Sequence, residues 1–596
     1  MRKAVFILAT VLAAFLVNSN CAFFSPRNKP QAAIETPEKP AEKKPVDTKW
    51  HNYGAYLAGR TALMHADLND AADYFMIAEN DAPQDLNLTR RIAIMLAMTG
   101  RTEQAAAYAE KIHDTDRQII LNFILSTQYF KEKRYQKALN IIDEMKGDFV
   151  YNMLGAWAYA ALGQKKTALK LLAPLKENEM LPIYYFQSAA VCDITGDNAC
   201  ANVFYQKMIT DDVHIAYLPL LAMVNFYLRT DNLPKAITIV KKNALYLAQN
   251  SDLFAQIDRQ LSEGKNVKPI LSVNLGLSDT LLNLAGVAGK IGEQEAAETV
   301  LLLTALADYI APEYVVPRVY YAQKLESLEL WQQAVDAYAK IKPDEPFYRG
   351  AQMAIGEVLK KTKQFDKAVE VLSLFKDTYP YIYAEALHNA GKPAEAIEYF
   401  KRSFFATETN EQKNWPINLA IGICYSQLGD YVNAEEYLRK TIAEHSDAMV
   451  QNFLGYILLQ QNKDIEEAFE LIVSAYNSAP QEGANVDSLG WAFYKIGRYK
   501  EAEKYLETAV DLSVSEAVIY DHLGDVYWQN GRFDEAVFQW NHALALKDSS
   551  GELKRDAVLD KIKNGLPRPT ALPYDAAKLE SIIKSIGAAT STDNAK

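Results

Sequence analysis

The sequence predicts an all-α protein built as a solenoid of stacked helical hairpins. Three observations support this fold class: a repeat of about 34 residues, a glycine or asparagine midway through each unit, and an alanine at a fixed place in each second helix. A fixed period near 34 residues is typical of helical-hairpin arrays.

The repeat is clearest between residues 411 and 547. The stretch LGWAFYKIGRYKEAEKYLETA at 489–509 aligns with LGDVYWQNGRFDEAVFQWNHA at 523–543 and with IGICYSQLGDYVNAEEYLRKT at 421–441. A fourth copy, LGYILLQQNKDIEEAFELIVSA at 454–475, has one extra residue in its turn. The first helix of each unit is expected to end at a residue with left-handed backbone. These residues are Gly429, Asn462, Gly497 and Gly531.

Each strong unit also has a glycine inside its first helix and an alanine in its second. The glycines are Gly422, Gly455, Gly490 and Gly524, and the alanines, each 34 residues apart, are Ala434, Ala468, Ala502 and Ala536. A glycine within a helix costs roughly 1 kcal/mol relative to alanine. Helices that cross at about 8 to 10 Å need small residues at the contact. We therefore expect each glycine to face its alanine, and a bulkier residue there to cost about 1 to 3 kcal/mol.

Weaker copies extend the array over residues 50–410. The second-helix alanine marks them at Ala72, Ala105, Ala138, Ala168, Ala201, Ala236, Ala297, Ala334, Ala368 and Ala396. Two intervals depart from the period. The 61 residues between Ala236 and Ala297 are expected to hold a degenerate hairpin and a loop, and the 28 residues between Ala368 and Ala396 imply a shortened first helix.

The N-terminus is typical of an exported protein. Two cations at residues 2 and 3 precede a 14-residue apolar run at 4–17, which is short for a membrane span but typical of a signal-peptide core. We predict a signal peptide over residues 1–20. Residues 21–49 then contain five prolines among charged residues, and they predict a semi-extended linker of roughly 3 Å per residue.

Processing of the signal is left open between two positions. Cleavage after Ser19 would release the protein, whereas cleavage before Cys21 would leave a lipid-modified cysteine at the membrane. The lipoprotein pattern normally has a leucine three residues before the cysteine and a small residue just before it. Here Asn18 and Asn20 occupy those places.

Beyond residue 547 the chain predicts a capping helix over 548–566 and a tail over 567–596. An amphipathic pattern over 551–564 would cover the open end of the solenoid, as repeat arrays require. Residues 574–586 have the pattern of one last helix.

Cys192 and Cys200 flank a predicted helix turn. They form either a disulfide in an oxidising compartment or two small core residues in neighbouring helices.

No catalytic pattern is present in the sequence. GxxxxGK[ST], GxGxxG, HExxH and GxSxG are absent, and the eight histidines lack paired ligand spacing. We therefore predict no catalytic residue, no cofactor and no metal site, and His522 beside Asp521 is interpreted as a solvent-accessible residue at a helix start. A net charge of −12 argues against nucleic-acid binding, which needs clustered cations.

The strong units resemble the tetratricopeptide repeat. The matching residues in one unit are Leu489, Gly490, Phe493, Gly497, Ala502, Leu506 and Ala509. The resemblance implies a right-handed superhelical solenoid. At larger scale, the last repeats and the stretches GLSDTLLNLAG and ELWQQAVDAYAKI resemble exported tetratricopeptide-repeat proteins of proteobacterial cell envelopes.

This resemblance also implies a protein-binding groove. In the family, groove-facing residues lie three positions before the repeat glycine and one and four positions after it. On this chain they are Asn452, Tyr456, Leu459, Asp487, Trp491, Tyr494, Asp521, Asp525 and Trp528. The alternative, that Trp491 and Tyr494 pack between neighbouring repeats, stays open. The three carboxylates are expected to repel an anion and to favour cationic or neutral extended segments.

The function implied by the resemblance is a non-enzymatic scaffold in the periplasm or on the periplasmic face of the outer membrane. Relatives of this type are adaptors that bring substrates to a periplasmic carboxyl-terminal processing protease. The alternative is an assembly component of an envelope export machine for polysaccharide or outer-membrane protein. An enzyme with a novel site is disfavoured by the missing motifs.

Overall fold

All regular structure in the described part of the chain is helical, and consecutive helices pack as hairpins. The computed structural model describes residues 53–80, 84–112, 119–146, 149–176, 180–211, 215–248, 251–289, 296–406, 414–547 and 553–587. The predicted signal peptide, the linker and Cys21 lie outside these residues. The predicted all-α array of hairpins is confirmed. No described helix combines the length and the apolarity that a bilayer span requires.

The chain divides into two compact units, of which unit 1 ends at Val358 and unit 2 begins at Leu359. The boundary predicted between residues 410 and 411 marks a change in repeat strength and stays a prediction; the contacts divide earlier in the chain, within the helix Tyr348–Lys361. Weaker hairpins belong to unit 2 together with the strong ones.

Unit 1 begins with six hairpins. They are formed by α1 (Tyr53–Met64) with α2 (Leu68–Glu79), α3 (Leu86–Met98) with α4 (Thr102–Ala109), α5 (Ile119–Lys131) with α6 (Tyr135–Asp143), α7 (Phe149–Ala161) with α8 (Lys165–Leu172), α9 (Leu181–Ile194) with α10 (Asn198–Thr210), and α11 (Tyr217–Arg229) with α12 (Leu233–Lys242).

The rest of unit 1 contains two more hairpins and three further helices. They are α13 (Ala244–Ala248), α14 (Ser251–Glu263), the hairpin of α15 (Val273–Ala288) with α16 (Ala297–Ile310), the hairpin of α17 (Val316–Ser327) with α18 (Trp331–Tyr338), and α19 (Tyr348–Lys361), within which the units divide. Short 3-10 helices lie at Ala173–Lys176 and Gly264–Asn266.

Unit 2 continues the array to the C-terminus. Its helices are α20 (Phe365–Leu372), the hairpins α21 (Pro380–Asn389) with α22 (Pro393–Ala406), α23 (Trp415–Gln427) with α24 (Tyr431–Glu444), α25 (Ala448–Gln460) with α26 (Ile465–Ser478), α27 (Gly483–Lys495) with α28 (Tyr499–Leu512), and α29 (Ala517–Gln529) with α30 (Phe533–Ala545), and then α31 (Arg555–Asn564) and α32 (Ala576–Lys584). A 3-10 helix lies at Ser373–Phe375.

The repeat alanines lie in the second helices, and all fourteen are fully buried. In the strong units, the glycine of each first helix packs against the second helix of the same hairpin. A Cβ atom on Gly490 would lie 2.7 Å from Leu506 Cγ and 3.3 Å from the carbonyl oxygen of Ala502. Each strong unit repeats this approach, with Trp540 as the neighbour of Gly524 at 2.5 Å. The absent side chain therefore allows the two helices of a hairpin to cross closely.

The turns inside the hairpins share one backbone feature, a residue with positive φ. In the strong units it is Gly429, Asn462, Gly497 or Gly531, with φ between 54° and 82°. Degenerate units use other residues, such as Lys133 and Glu329, in the same left-handed conformation. Other turns, such as those at Gly163 and Gly196, keep the glycine. A side chain at this position carries a strain that glycine avoids, and a turn without glycine gives a weaker signal in the sequence.

Cys192 and Cys200 are joined by a disulfide across the turn between α9 and α10. This decides between the two alternatives left by the sequence. The turn residue between the two helices is Gly196, with φ 76°.

Candidate protein-binding face

The predicted groove residues lie on the first helices of three hairpins in unit 2: α25, α27 and α29. Neighbouring first helices contact each other, α25 with α27 and α27 with α29. We call the surface that carries the nine predicted groove residues the first-helix face. Its residues differ strongly in exposure, since Leu459, Asp487, Tyr494 and Asp525 are buried while the other five are partly exposed.

An aromatic stack forms the centre of the first-helix face. The Trp491 ring is stacked between Tyr494, at a centroid distance of 4.6 Å, and His522, at 4.0 Å, and in both pairs the ring planes are nearly parallel. Tyr456 lies 6.5 Å from His522 on the other side. The stack therefore joins α25, α27 and α29. Trp491 and Tyr494 do pack between neighbouring repeats, and of these two only Trp491 keeps a partly exposed surface.

His522 is a buried partner of Asp487. Its Nδ1 lies 2.9 Å and 3.1 Å from the two carboxylate oxygens of Asp487, and both side chains are more than nine-tenths buried. Burial alone would lower the pKa of His522, but the neighbouring carboxylates, chiefly Asp487, outweigh it and raise the pKa. The expectation of a solvent-accessible residue at a helix start is wrong, because His522 lies inside α29 and faces α27 of the preceding hairpin.

Lys561 on α31 pairs with the other two carboxylates. Its Nζ donates to Asp521 Oδ1 at 2.8 Å and to Asp525 Oδ1 at 2.7 Å, and Trp540 Nε1 also donates to Asp525 at 3.0 Å. Burial raises the pKa of Asp525 to about 6, although Lys561 opposes the shift. All three carboxylates are therefore paired within the chain, and the expected repulsion of an anion stays a prediction.

The C-terminal segment covers one end of the first-helix face. Helix α31 packs on α30, and Gly565, which ends α31 with φ 78°, lies against the Trp528 ring. Beyond it the chain runs back along the array, with Gln529 Nε2 donating to Pro567 O and Leu572 N donating to Lys495 O. Trp528 is thus covered by the chain itself.

Helix α32 then packs beside α26, two hairpins back. Leu579 is fully buried there, and Asn477 of α26 bonds the backbone of Ser585 and Gly587. Lys578 pairs with Glu470 at 3.3 Å. The amphipathic pattern over 574–586 predicts this helix, but nothing in the pattern indicates where it docks.

The uncovered part of the first-helix face is neutral. Helices α23 and α25 contain no Asp, Glu, Lys or Arg. Met449, Asn452 and Tyr456 follow one side of α25 at helical spacing, and Met449 is 55% exposed. Two buried polar atoms here, Asn452 Oδ1 and Trp491 Nε1, have no hydrogen-bond partner in the described part of the protein.

In unit 1 the first helices are covered by the chain's own hairpin. Helix α16 packs on α3 and α5, and α15 packs on α7 and α9. Helix α15 approaches so closely that a Cβ on Gly276 would lie 1.9 Å from the Trp157 ring. The sequence predicts a degenerate hairpin between Ala236 and Ala297, but not that α15 and α16 fold back over the preceding helices.

A buried polar network ties α15 to these helices. Trp157 Nε1 donates to Gln187 Oε1 at 2.7 Å and to Thr280 Oγ1 at 2.9 Å. Gln187 Nε2 and Asn283 Nδ2 donate to Asp279 Oδ2, each at 2.9 Å. Burial raises the pKa of Asp279 to about 7, although the hydrogen bonds from Asn283 and Gln187 lower it.

Comparison with known proteins identifies the repeat class at the C-terminal end. Two family models, both described as tetratricopeptide repeat, match residues 416–443 and 488–551. These residues are therefore tetratricopeptide repeats, and proteins with this repeat are typically scaffolds for protein–protein interaction.

Curated relatives match part of the chain. The TPR repeat-containing protein PA4667 of Pseudomonas aeruginosa is 32% identical over 189 residues, which is 30% of this chain and 30% of that protein. The BBSome complex member BBS4 of Bos taurus is 28% identical over 123 residues, 21% of this chain and 23% of that protein. The chain thus spans less than a third of the length of either relative.

Solved structures of similar fold include the APC/C hetero-tetramer Cut9–Hcn1. It is 17% identical, covers 87% of this chain and 97% of its own, and has a TM-score of 0.33. The thermophilic TPR protein TTC0263 of Thermus thermophilus is 21% identical, covers 31% of this chain and 98% of its own, and has a TM-score of 0.26.

Proposed function

We propose that this protein is a non-enzymatic scaffold that binds partner proteins through the uncovered part of the first-helix face, on α25 and α27. The observation that carries the proposal is the neutral, partly exposed surface around Met449, Asn452 and Trp491. A buried donor and a buried acceptor without partners cost free energy. Both atoms lie below the surface, so a bound segment would pair with them and recover this free energy only after the Trp491 and Asn452 side chains rotate outward.

The neutral surface favours a neutral partner segment. The carboxylates that would attract a cationic segment are already paired with His522 and Lys561. Aromatic side chains such as Trp491 and Tyr456 supply large contact areas at low entropic cost, which is typical of interface hot spots. We therefore expect an uncharged, amphipathic segment of a partner protein.

The setting that we propose is the bacterial cell envelope. The apolar N-terminal run is typical of exported proteins, and the Cys192–Cys200 disulfide fits an oxidising compartment. The resemblance to exported envelope proteins favours an adaptor that brings substrates to a carboxyl-terminal processing protease. An assembly role in an export machine is the competing outcome of the experiment below.

Crosslinking and affinity capture from envelopes tests this proposal with two matched variants. Met449→Glu places a charge on the neutral face, whereas Val432→Glu places the same charge on α24, at a residue that is 71% exposed. We expect the protease and its substrates to be captured by the wild type and by Val432→Glu but not by Met449→Glu. Equal capture by all three would place partner binding elsewhere, and capture of export components alone would replace the adaptor role.

Mass spectrometry of the mature N-terminus tests the envelope location separately. A diacylglycerol-modified Cys21 supports a membrane-tethered form, and an unmodified Asn20 start supports a form released into the periplasm. An intact Met1 in envelope fractions would contradict export.

A further inference from the structure

Unit 1 contains a half-open cavity that the scaffold function does not use. Its volume is about 270 Å³, enough for an aromatic ring with a short chain. Five segments converge on it: α11, α14, the chain around Ile270 and Leu275, the turn at 313–316, and the chain at 346–347. Convergence of separate segments on one apolar cavity with a few polar groups is typical of ligand sites.

The walls are largely aromatic and aliphatic. Tyr217 and Phe347 lie with ring centroids 5.1 Å apart, and Leu218, Leu221 and Val315 complete the apolar lining. Phe347 has φ 67°, a strained conformation for a bulky residue. Its backbone N–H donates to Asp252 Oδ2 at 2.7 Å, which holds the strained residue in place at the cavity wall. Strained residues of this kind cluster at ligand sites.

Two tyrosine hydroxyls supply polar groups inside the cavity. Tyr314 is only 7% exposed and lines the cavity. Tyr217 Oη accepts a hydrogen bond from Gln256 Nε2 at 2.5 Å, so its own proton is free to be donated. Burial raises the pKa of both tyrosines, which keeps them neutral.

The charges around the cavity are negative. Glu313 lines it from an exposed position and forms no ion pair with any described residue. Asp252 acts on Tyr217.

No lysine or arginine is among the residues that line the cavity. Of the three cations two residues from a lining residue, Arg318 pairs with Asp308 and Glu345 at 2.9 Å each, and Lys268 and Arg349 lie exposed. A cation in the cavity would meet the Glu313 carboxylate and the faces of aromatic rings.

We propose that this cavity binds an organic ammonium ion with an apolar body. The apolar body would lie against Tyr217, Leu221 and Phe347, and the ammonium group would be held by Glu313 with the cation–π attraction of the rings. The same chemistry occurs in a free alkyl or aryl amine and in a lysine side chain of a partner protein, so the experiment must distinguish these two sources.

The test is a calorimetric titration of the full chain with phenethylammonium chloride. Its neutral isostere, 2-phenylethanol, serves as the matched ligand. We expect the ammonium ion to bind about fivefold more tightly than the alcohol, because an ion pair near the surface contributes up to about fivefold in affinity. Equal binding of the two probes, or no binding of either, would overturn the proposal.

Three variants assign the site. Glu313→Gln should weaken phenethylammonium binding about fivefold, and Tyr314→Phe should weaken it about threefold by removing a hydroxyl. Glu398→Gln, an exposed carboxylate in unit 2, should leave binding unchanged. Wild-type affinity in Glu313→Gln would contradict the assignment, and unchanged circular dichroism verifies that each variant folds.

A second titration identifies the source of the ligand. N-acetyl-lysine-N-methylamide represents a lysine of a partner protein, and phenethylammonium represents a free amine. Tighter binding of the lysine derivative assigns the cavity to a protein partner, and tighter binding of phenethylammonium assigns it to a small molecule.

Discussion

The two units use the same hairpins but treat the faces of their first helices in opposite ways. In unit 1 the hairpin of α15 and α16 packs across α3, α5, α7 and α9, and Trp157 Nε1 finds acceptors in Gln187 and Thr280. In unit 2 no described helix packs in this way on α23 or α25, and Trp491 Nε1 has no partner in the described residues. A repeat face can thus serve as core or as surface.

A cover does not by itself erase the repeat pattern. Helix α7 lies under α15 but keeps Leu154 and Gly155 in the places of the repeat leucine and glycine, and the turn glycine Gly163 and the repeat alanine Ala168 follow. A Cβ atom on Gly155 would meet Leu171 of α8, just as the glycines of the strong units meet their own second helices.

The largest effect that we expect concerns Asp279, the buried carboxyl group of the α15 network in unit 1. Its folded pKa is raised to about 7 by burial, above the unfolded value of about 3.9, so the folded state holds a proton that the unfolded state has lost. The free energy of unfolding of unit 1 should therefore fall as pH rises from about 4 to about 7, by up to about 4 kcal/mol. Asp279→Asn should remove this slope.

Urea unfolding at pH 4.5 and pH 8 measures the effect. Asp258→Asn, an exposed carboxyl on α14, should keep the wild-type slope. If Asp279→Asn also keeps it, then α15 does not remain packed in a dry interface, and the contrast between the units fails.

The second effect concerns the close approach of α15 to α7. Gly276→Ala would place a methyl group 1.9 Å from the fully buried Trp157 ring. We expect a loss of about 3 kcal/mol in the free energy of unfolding of unit 1, because a ring in a packed interior cannot move aside. Thermal unfolding followed by circular dichroism measures it, and a variant as stable as the wild type would refute the tight docking of the hairpin.

The third effect concerns the covered end of unit 2. Lys561→Ala leaves Asp521 and Asp525 without their cation, at side-chain exposures of 15% and 7%. We expect a loss of about 2 kcal/mol and faster amide exchange in α31, since an uncompensated buried charge is destabilising. Lys563→Ala, on the exposed side of the same helix, should change neither quantity. Slow exchange in Lys561→Ala would show that apolar contacts alone hold α31.

The smallest effect has the opposite sign. Gly286 lies exposed within α15, and a Cβ atom there would meet nothing within 4 Å. Gly286→Ala should therefore raise the stability of unit 1 by about 0.5 kcal/mol through helix propensity alone. Together with Gly276→Ala it separates the cost of close approach from the cost of glycine in a helix, and a loss of stability here would contradict that separation.

The sequence predicted the hairpins well because their signals are local. The repeat alanines mark second helices even in the degenerate units, where Lys133 and Glu329 replace the turn glycine. The short first helix after Tyr379 is present as α21, with ten residues. Spacing along one chain is sufficient for these features.

Contacts between distant segments could not be predicted in this way. Nothing in the local pattern shows that Lys561 reaches Asp521 and Asp525, that His522 pairs with Asp487, or that α15 covers α7. The carboxylates therefore looked free in the sequence. The sequence did contain one sign of this packing. The 61-residue interval between Ala236 and Ala297 departs from the repeat period and includes the apolar stretch that forms α15.

The docking of α32 beside α26 has a consequence for the order of folding. Stacked hairpins connect residues about one repeat apart, but the bonds from Asn477 to Ser585 and Gly587 span 108 and 110 residues. Non-local contacts of this kind form late, because a long loop must close first. During synthesis the flank of α26 should stay uncovered until the last stretch of the chain has left the ribosome, so the three final repeats mature together.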